Sequence, residues 1–194
     1  TREREFQLFW ANVQVVGPSI YSQPPVPVVT PRFKDRRSLN RTTSELLERS
    51  AIVQLEVQDI NGLMIQLRDD MTTIGRGVAW LRVEKEDGKA KICADYISRR
   101  DFAHDPARSW REVDWVARCA WLTKEEYKER FPKAEPADFV KRKEEGEDDD
   151  GQLKAPVWEI WSKSEEKVVW VTEGVEDVLD MEDPLLDLTG FFPC

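Results

Sequence analysis

Between residues 46 and 74 the apolar positions recur by alternate steps of four and three. Leu46, Ser50, Val53, Val57, Ile60, Met64, Leu67, Met71 and Ile74 make the series, and only Ser50 is polar. A period of 3.5 fits a helix and no strand. The phase passes through Asn61-Gly62 unbroken, so one long helix is expected to about residue 74, at a glycine cost of ~1 kcal/mol. Thr42-Thr43-Ser44-Glu45 precedes it, with Thr42 and Glu45 spaced as a capping box. At ~1.5 Å per residue the stretch 46–74 would span ~44 Å. That matches the ~42 Å diameter of a compact domain of this size. A coiled-coil seam is one reading. A core helix packed on a sheet is favoured, because Leu47, Leu55 and Leu63 widen the stripe. A charge at Ile60 is then expected to abolish folding. Gly75-Arg76-Gly77 ends this helix and precedes a strand. It therefore reads as a C-cap and not as a phosphate-cradling loop, which would open a helix.

Upstream, Phe6, Phe9, Trp10, Val13 and Val16 predict a short amphipathic helix over 3–16, ended by Gly17-Pro18. Four prolines (Pro24, Pro25, Pro27, Pro31) then fall within eight residues, which denies the stretch a helix or a central strand. It should be extended, in a polyproline-like form. A ligand for an SH3-type partner is one reading. An arm crossing its own domain or a neighbouring subunit is preferred. Residues 32–41 hold five basic side chains and one acidic, read as a flexible connection or a phosphate-facing patch.

Downstream the period changes to two. Val78–Glu84 and Lys91–Ile97 flank Asp87-Gly88, a hairpin signal. Val113–Trp121 reads as a third strand, with Val113, Trp115, Ala117, Cys119 and Trp121 on one face. Thr123-Lys124-Glu125-Glu126 caps a short helix ending at Phe131-Pro132. Val157–Trp161 and Lys167–Thr172 form a second hairpin. The tail, 183–193, is apolar and turn-rich and reads as a run into a further element. Residues 133–155 read as a disordered acidic insertion, because Glu144–Asp150 holds six carboxylates and no aromatic. The fold class is α+β: a short N-terminal helix, a Pro-rich extended arm, one long helix, then antiparallel β-hairpins with a short helix. The helical part is 1–75 and the β-rich part 76–194.

Composition narrows the function. Residues 1–50 carry 8 basic and 5 acidic groups (+3), residues 51–132 carry 14 and 15 (−1), and residues 133–194 carry 7 and 18 (−11). Such asymmetry suits surfaces that meet different partners and opposes tight wrapping of nucleic acid. No apolar run approaches the roughly 18 residues of a membrane span, so no membrane partner is expected. The chain begins Thr1-Arg2 and ends Pro193-Cys194, and is read as a piece of a longer protein. Three cysteines, Cys93, Cys119 and Cys194, form no disulfide framework. One histidine, His104, cannot build a multi-His metal site. His104 beside Asp105 invites a general-base reading, but sequence neighbours rarely make a working dyad, and no GxSxG elbow accompanies them. No spaced motif selects carboxylates for a metal-dependent nuclease. The tryptophans alternate with other apolar residues on strands, which places most in a core or subunit interface and not on stacking platforms. No catalytic, cofactor-binding or metal-binding residue is assigned, no cofactor is expected, and the chain is not expected to be an enzyme.

Several segments in order carry a likeness. Phe6-Gln7-Leu8-Phe9-Trp10-Ala11-Asn12-Val13 leads into Pro18-Ser19-Ile20-Tyr21-Ser22-Gln23-Pro24-Pro25 and Pro31-Arg32-Phe33-Lys34-Asp35. The cap at Arg41–Glu48, the exit Gly75-Arg76-Gly77-Val78 and Ser98-Arg99-Arg100-Asp101-Phe102 follow. Trp110, Val113, Trp115 and Val116 come next, then Trp158-Glu159-Ile160-Trp161, and Gly190-Phe191-Phe192-Pro193 closes the series. This series resembles the portal proteins of short-tailed double-stranded DNA bacteriophages and related prophages. It covers the chain except about 133–155. The resemblance implies the N-terminal wing region of a subunit that forms a ring, usually a dodecamer, at one capsid vertex, while this piece alone is expected to be monomeric. It implies terminase, capsid or scaffold and head-completion proteins as partners, with double-stranded DNA passing through the channel. It implies a place in the virion, and in host cytoplasm during assembly. A capsid-associated adaptor without a ring is the alternative, and a metal-dependent phage nuclease the second.

Overall fold

The apolar series 46–74 does form helix, but not one helix. The structure is a computed structural model that describes residues 8–31, 37–86, 88–141, 152–185, 188 and 190–194. Helix α2 runs Ser38–Val57 and α3 runs Ile60–Ile74, after α1 at Leu8–Ile20. The break is two residues. Gln58 keeps helical angles, whereas Asp59 is left-handed at φ 44° and caps α3 by accepting the Gly62 N–H at 3.1 Å. A Cβ on residue 62 would lie 2.3 Å from the Asp59 carboxylate, so glycine there makes room for the cap. Periodicity cannot see this joint, because a two-residue break keeps the apolar phase. The ~44 Å single helix is therefore replaced by two of ~30 Å and ~22 Å at ~1.5 Å per residue. Neither helix holds a fully buried residue, and Ile60 is half-buried, so the core-helix expectation fails as well.

The start of α2 also departs from expectation. Thr42 is inside the helix, where its hydroxyl donates to the Ser38 carbonyl at 3.1 Å. Thr43 and Ser44 do the same to Leu39 and Asn40, and Glu45 pairs with Arg41. Hydroxyls that bond four residues back can sit mid-helix, so the capping-box pattern was satisfied locally in another way. The end of α3 is as expected. Gly75 is left-handed at φ 83° and its N–H reaches the Met71 carbonyl at 3.1 Å.

Helix α1 passes through Gly17-Pro18 to Ile20 instead of stopping there. The Tyr21 N–H still closes on the Gly17 carbonyl at 3.1 Å. Gly17 is buried, and a Cβ there would lie 3.5 Å from Arg68 of α3. Packing of α1 on α3 at this glycine thus outweighs the proline, whose missing N–H falls in the last turn. Residues 3–7 of the expected helix lie outside the described residues.

The chain divides into two compact units, Thr1–Tyr96 and Ile97–Cys194. The division falls after the first hairpin, not before it at 75. In the first unit, strands β1 (Val78–Glu86) and β2 (Lys89–Ile97) form a two-stranded sheet turned at Gly88, as expected. Gly77 lets β1 start against α3, since a Cβ would lie 2.6 Å from the Leu67 carbonyl oxygen. Arg82 bonds both Asp95 and Glu84 on one face of the hairpin, and Tyr96 donates to Asp70 of α3 at 2.6 Å from the other. A lone hairpin is marginal in water, so these ties to α3 matter to it.

The second unit is an antiparallel sheet of β3 (Phe102–His104), β4 (Trp115–Thr123), β6 (Leu153–Ser162), β7 (Lys167–Thr172) and β8 (Asp180–Glu182), in that order. Strand β5 (Val140–Lys141) pairs with the start of β6. Helix α4 (Lys124–Arg130) opens with the expected capping box between Thr123 and Glu126. The alternation of β6 buries Ala155, Val157, Glu159 and Trp161. Both faces of β4 carry buried residues: Val116 on the face of these four, and Ala117 and Cys119 on the expected face, where Trp115 and Trp121 are half-buried. Tyr127 and Phe131 of the α4 region, with Ala137, pack on Ala155 and Val157.

Pro156 lies inside β6 without harm. Its carbonyl accepts the Thr172 hydroxyl, so its absent N–H faces the gap between the end of β7 and the start of β5. Residues 133–141 and 152–155, expected within a disordered insertion, are structured, because Ala137 and Ala155 are core and β5 pairs with β6. The acidic run itself, 144–151, lies outside the described residues. The tail folds back on its own unit: Phe191 meets Trp161, and Phe192 meets Trp110. Phe191 takes φ 70°, a left-handed value uncommon for a bulky residue.

Candidate interaction surface

The groups that hinted at catalysis take structural roles. His104 Nδ1 lies 2.7 Å from the Asp105 carbonyl oxygen, and its ring packs between Phe102 and Trp110. The Asp105 carboxylate turns instead to the Asp114 N–H at 3.3 Å. Among the described residues no cluster of three His, Cys, Asp or Glu could hold a metal ion. Cys93, Cys119 and Cys194 form no disulfide with one another. Cys93 donates to Glu84 at 3.3 Å, and burial together with this carboxylate raises its thiol above the ordinary range. Trp80 and Trp161 are buried, as expected for core, whereas Trp10 and Trp110 are more than half exposed. Of the basic stretch, residues 32–36 lie outside the described residues, and Arg41 is paired with Glu45.

The arm is the part of the sequence reading that becomes a surface. It lies along its own unit. The Tyr21 hydroxyl donates to Asn61 at 3.0 Å and the Val29 N–H donates to Glu48 at 3.1 Å. Along the arm, Pro27, Val29 and Pro31 are half-buried, while Val26, Val28 and Thr30 are exposed. A period of two is that of a strand and not of polyproline, whose period is three. Beneath the arm runs a groove of about 410 Å³ walled by Pro24–Pro27, Ile52, Leu55 and Ile60, with Glu56 and Asp59 at its rim.

A second cleft, of about 810 Å³, opens between α2 and the hairpin. Leu55, Ile60, Leu81 and Ile92 make its apolar walls, and Gln58 lines it. The Gln58 side-chain nitrogen is buried without a hydrogen-bond partner among the described residues. An unpaired buried amide costs about 1–3 kcal/mol, so this donor favours an acceptor in the cleft. Sequence reasoning missed both cavities. The signal that was present is Asp59-Ile60-Asn61-Gly62, a cap residue with turn formers, which marks the joint that creates them.

No family model matches the chain, and no curated protein matches it. The surface must be read from its own chemistry. That chemistry is apolar and extended. Large apolar side chains stand exposed on α1, α2, α3 and the arm. Among the described residues no helix is long and apolar enough to cross a membrane.

Proposed function

We propose that this chain is the N-terminal wing region of a phage portal protein, a structural subunit of a ring at the capsid vertex. The observation that carries the reading is the ordered series of segments from Phe6 to Pro193 that resembles such proteins. The α+β architecture and the apolar residues left exposed on its helices support an assembly role. In this reading the chain has no enzymatic activity of its own. Its partners are further copies of itself, the terminase motor, capsid or scaffold and head-completion proteins, with double-stranded DNA in the channel. Its place is the virion vertex, reached from the host cytoplasm during assembly.

A second reading is a capsid-associated adaptor that binds another virion protein without closing a ring. The arm, held along its groove with Val26 and Val28 outward, favours it as a docking strip. Negative-stain imaging of the complete protein, with native mass spectrometry, separates the two. A closed ring of about twelve copies, the number the resemblance implies, supports the portal reading. A monomer or dimer at every salt concentration overturns it in favour of the adaptor. Magnesium-dependent DNA cleavage by pure protein, lost on replacing single acids, would overturn both in favour of a nuclease.

A further inference from the structure

Helix α2 is apolar on the side that faces away from its own unit. Its half-buried side is Asn40, Ser44, Glu48, Ala51, Ile52 and Leu55, of which half are polar. The opposite side carries Leu39, Leu46, Val53 and Val57, which are 73%, 61%, 51% and 62% exposed, with Leu47 at its edge 55% exposed. These four fall on one narrow line with Thr43 and Ser50, spaced by alternate steps of four and three. A globular core or a sheet calls for a stripe at least 100° wide, whereas a line of two positions in seven is the seam that meets a single partner helix.

The flanks say which helix. Arg49 and Glu56 lie beside the seam, one helical repeat apart and opposite in charge. Neither has a hydrogen-bond or ion-pair partner for its side chain among the described residues. When two copies of α2 run antiparallel, Leu46 of each copy meets Val57 of the other, and Ser50 meets Val53. In that register Arg49 of each copy comes beside Glu56 of the other, which makes two complementary pairs. A parallel pair would set Arg49 against Gln54 and gain nothing. Charges that flank a seam fix the direction and choice of partner in this way.

We propose that α2 is a self-association helix, pairing antiparallel with α2 of a second copy through Leu46, Ser50, Val53 and Val57. The pairing is two-fold and isologous, so it is separate from any ring contact and does not depend on the portal reading.

Sedimentation equilibrium of the 194-residue chain tests it. The expected result is a concentration-dependent species of twice the 22.6 kDa chain mass. Val53→Glu should remove it while far-UV circular dichroism is unchanged, since the residue is exposed. Arg49→Glu and Glu56→Arg should each weaken the dimer, and the two together in one chain should restore it. That rescue is specific to the antiparallel register and unaffected by any general loss of folding. A chain that stays monomeric at all concentrations overturns the proposal. So does a dimer or ring indifferent to Val53→Glu, or single charge changes that the double change fails to rescue. A ring that persists in the Val53→Glu variant would leave the portal reading standing while removing this one.

Discussion

Arg118→Met is expected to be among the most damaging single changes in the second unit. Arg118 on β4 and Glu159 on β6 are register partners, joined at 2.7 Å on the buried face of the sheet. Their side chains are only 15% and 11% exposed, and the second Glu159 oxygen takes the Trp161 indole N–H at 2.8 Å. Removing the guanidinium leaves the carboxylate with one neutral donor, beside Phe102 across from residue 118. Breaking a buried ion pair from one side costs about 3–5 kcal/mol, and the slight exposure here puts the expectation at about 3. For a chain of this length about 1 kcal/mol moves Tm by about 2–4 °C, so a fall of about 6–12 °C follows. Arg118→Met with Glu159→Gln removes both charges and keeps an acceptor for Trp161. This double variant should be more stable than Arg118→Met alone. Urea unfolding followed by tryptophan fluorescence reads both. A single variant within about 0.5 kcal/mol of the parent, the scatter of ordinary surface changes, would refute the argument. So would a double variant as unstable as the sum of its parts.

Other expectations come from the same kind of geometry. Gly77→Ala should destabilise by about 1–3 kcal/mol, because the new methyl meets the Leu67 backbone at 2.6 Å; equal or higher stability in thermal melts would show that α3 and β1 separate freely. Asp59→Ala loses both the α3 cap and a residue tolerant of left-handed angles, for about 2 kcal/mol, while Asp59→Asn should be near neutral; denaturant midpoints check the pair. Glu126 is held below the ordinary carboxylate range by hydrogen bonds from Thr123, first from its N–H. A depressed pKa gives stability that is full above the unfolded value and lost as pH falls through the folded one. Glu126→Gln should therefore lower stability at neutral pH and flatten the acid limb of the stability profile below about pH 4. A variant with an unchanged acid limb counts against the capping box.

What could be read from the residues was local. The Asp87-Gly88 hairpin, the Thr123–Glu126 capping box, the Gly75 C-cap and the β6–β7 pairing each depend on a few neighbouring residues with strict dihedral or periodic demands. The α+β class followed from them. Tertiary structure alone decided what those rules leave open. It broke the long helix at Asp59, where a left-handed cap preserves the apolar phase and so leaves no trace in it. It carried α1 through Pro18, because burial of Gly17 against Arg68 outweighs one missing backbone bond. It drew the roots of the acidic insertion into the core through Ala137 and Ala155, whose contacts span residues distant in sequence. It also turned Leu46, Val53 and Val57 outward, a choice between two faces of one helix that period alone cannot make. Local sequence fixes dihedral angles and spacing; which face is buried depends on what else the chain brings to it.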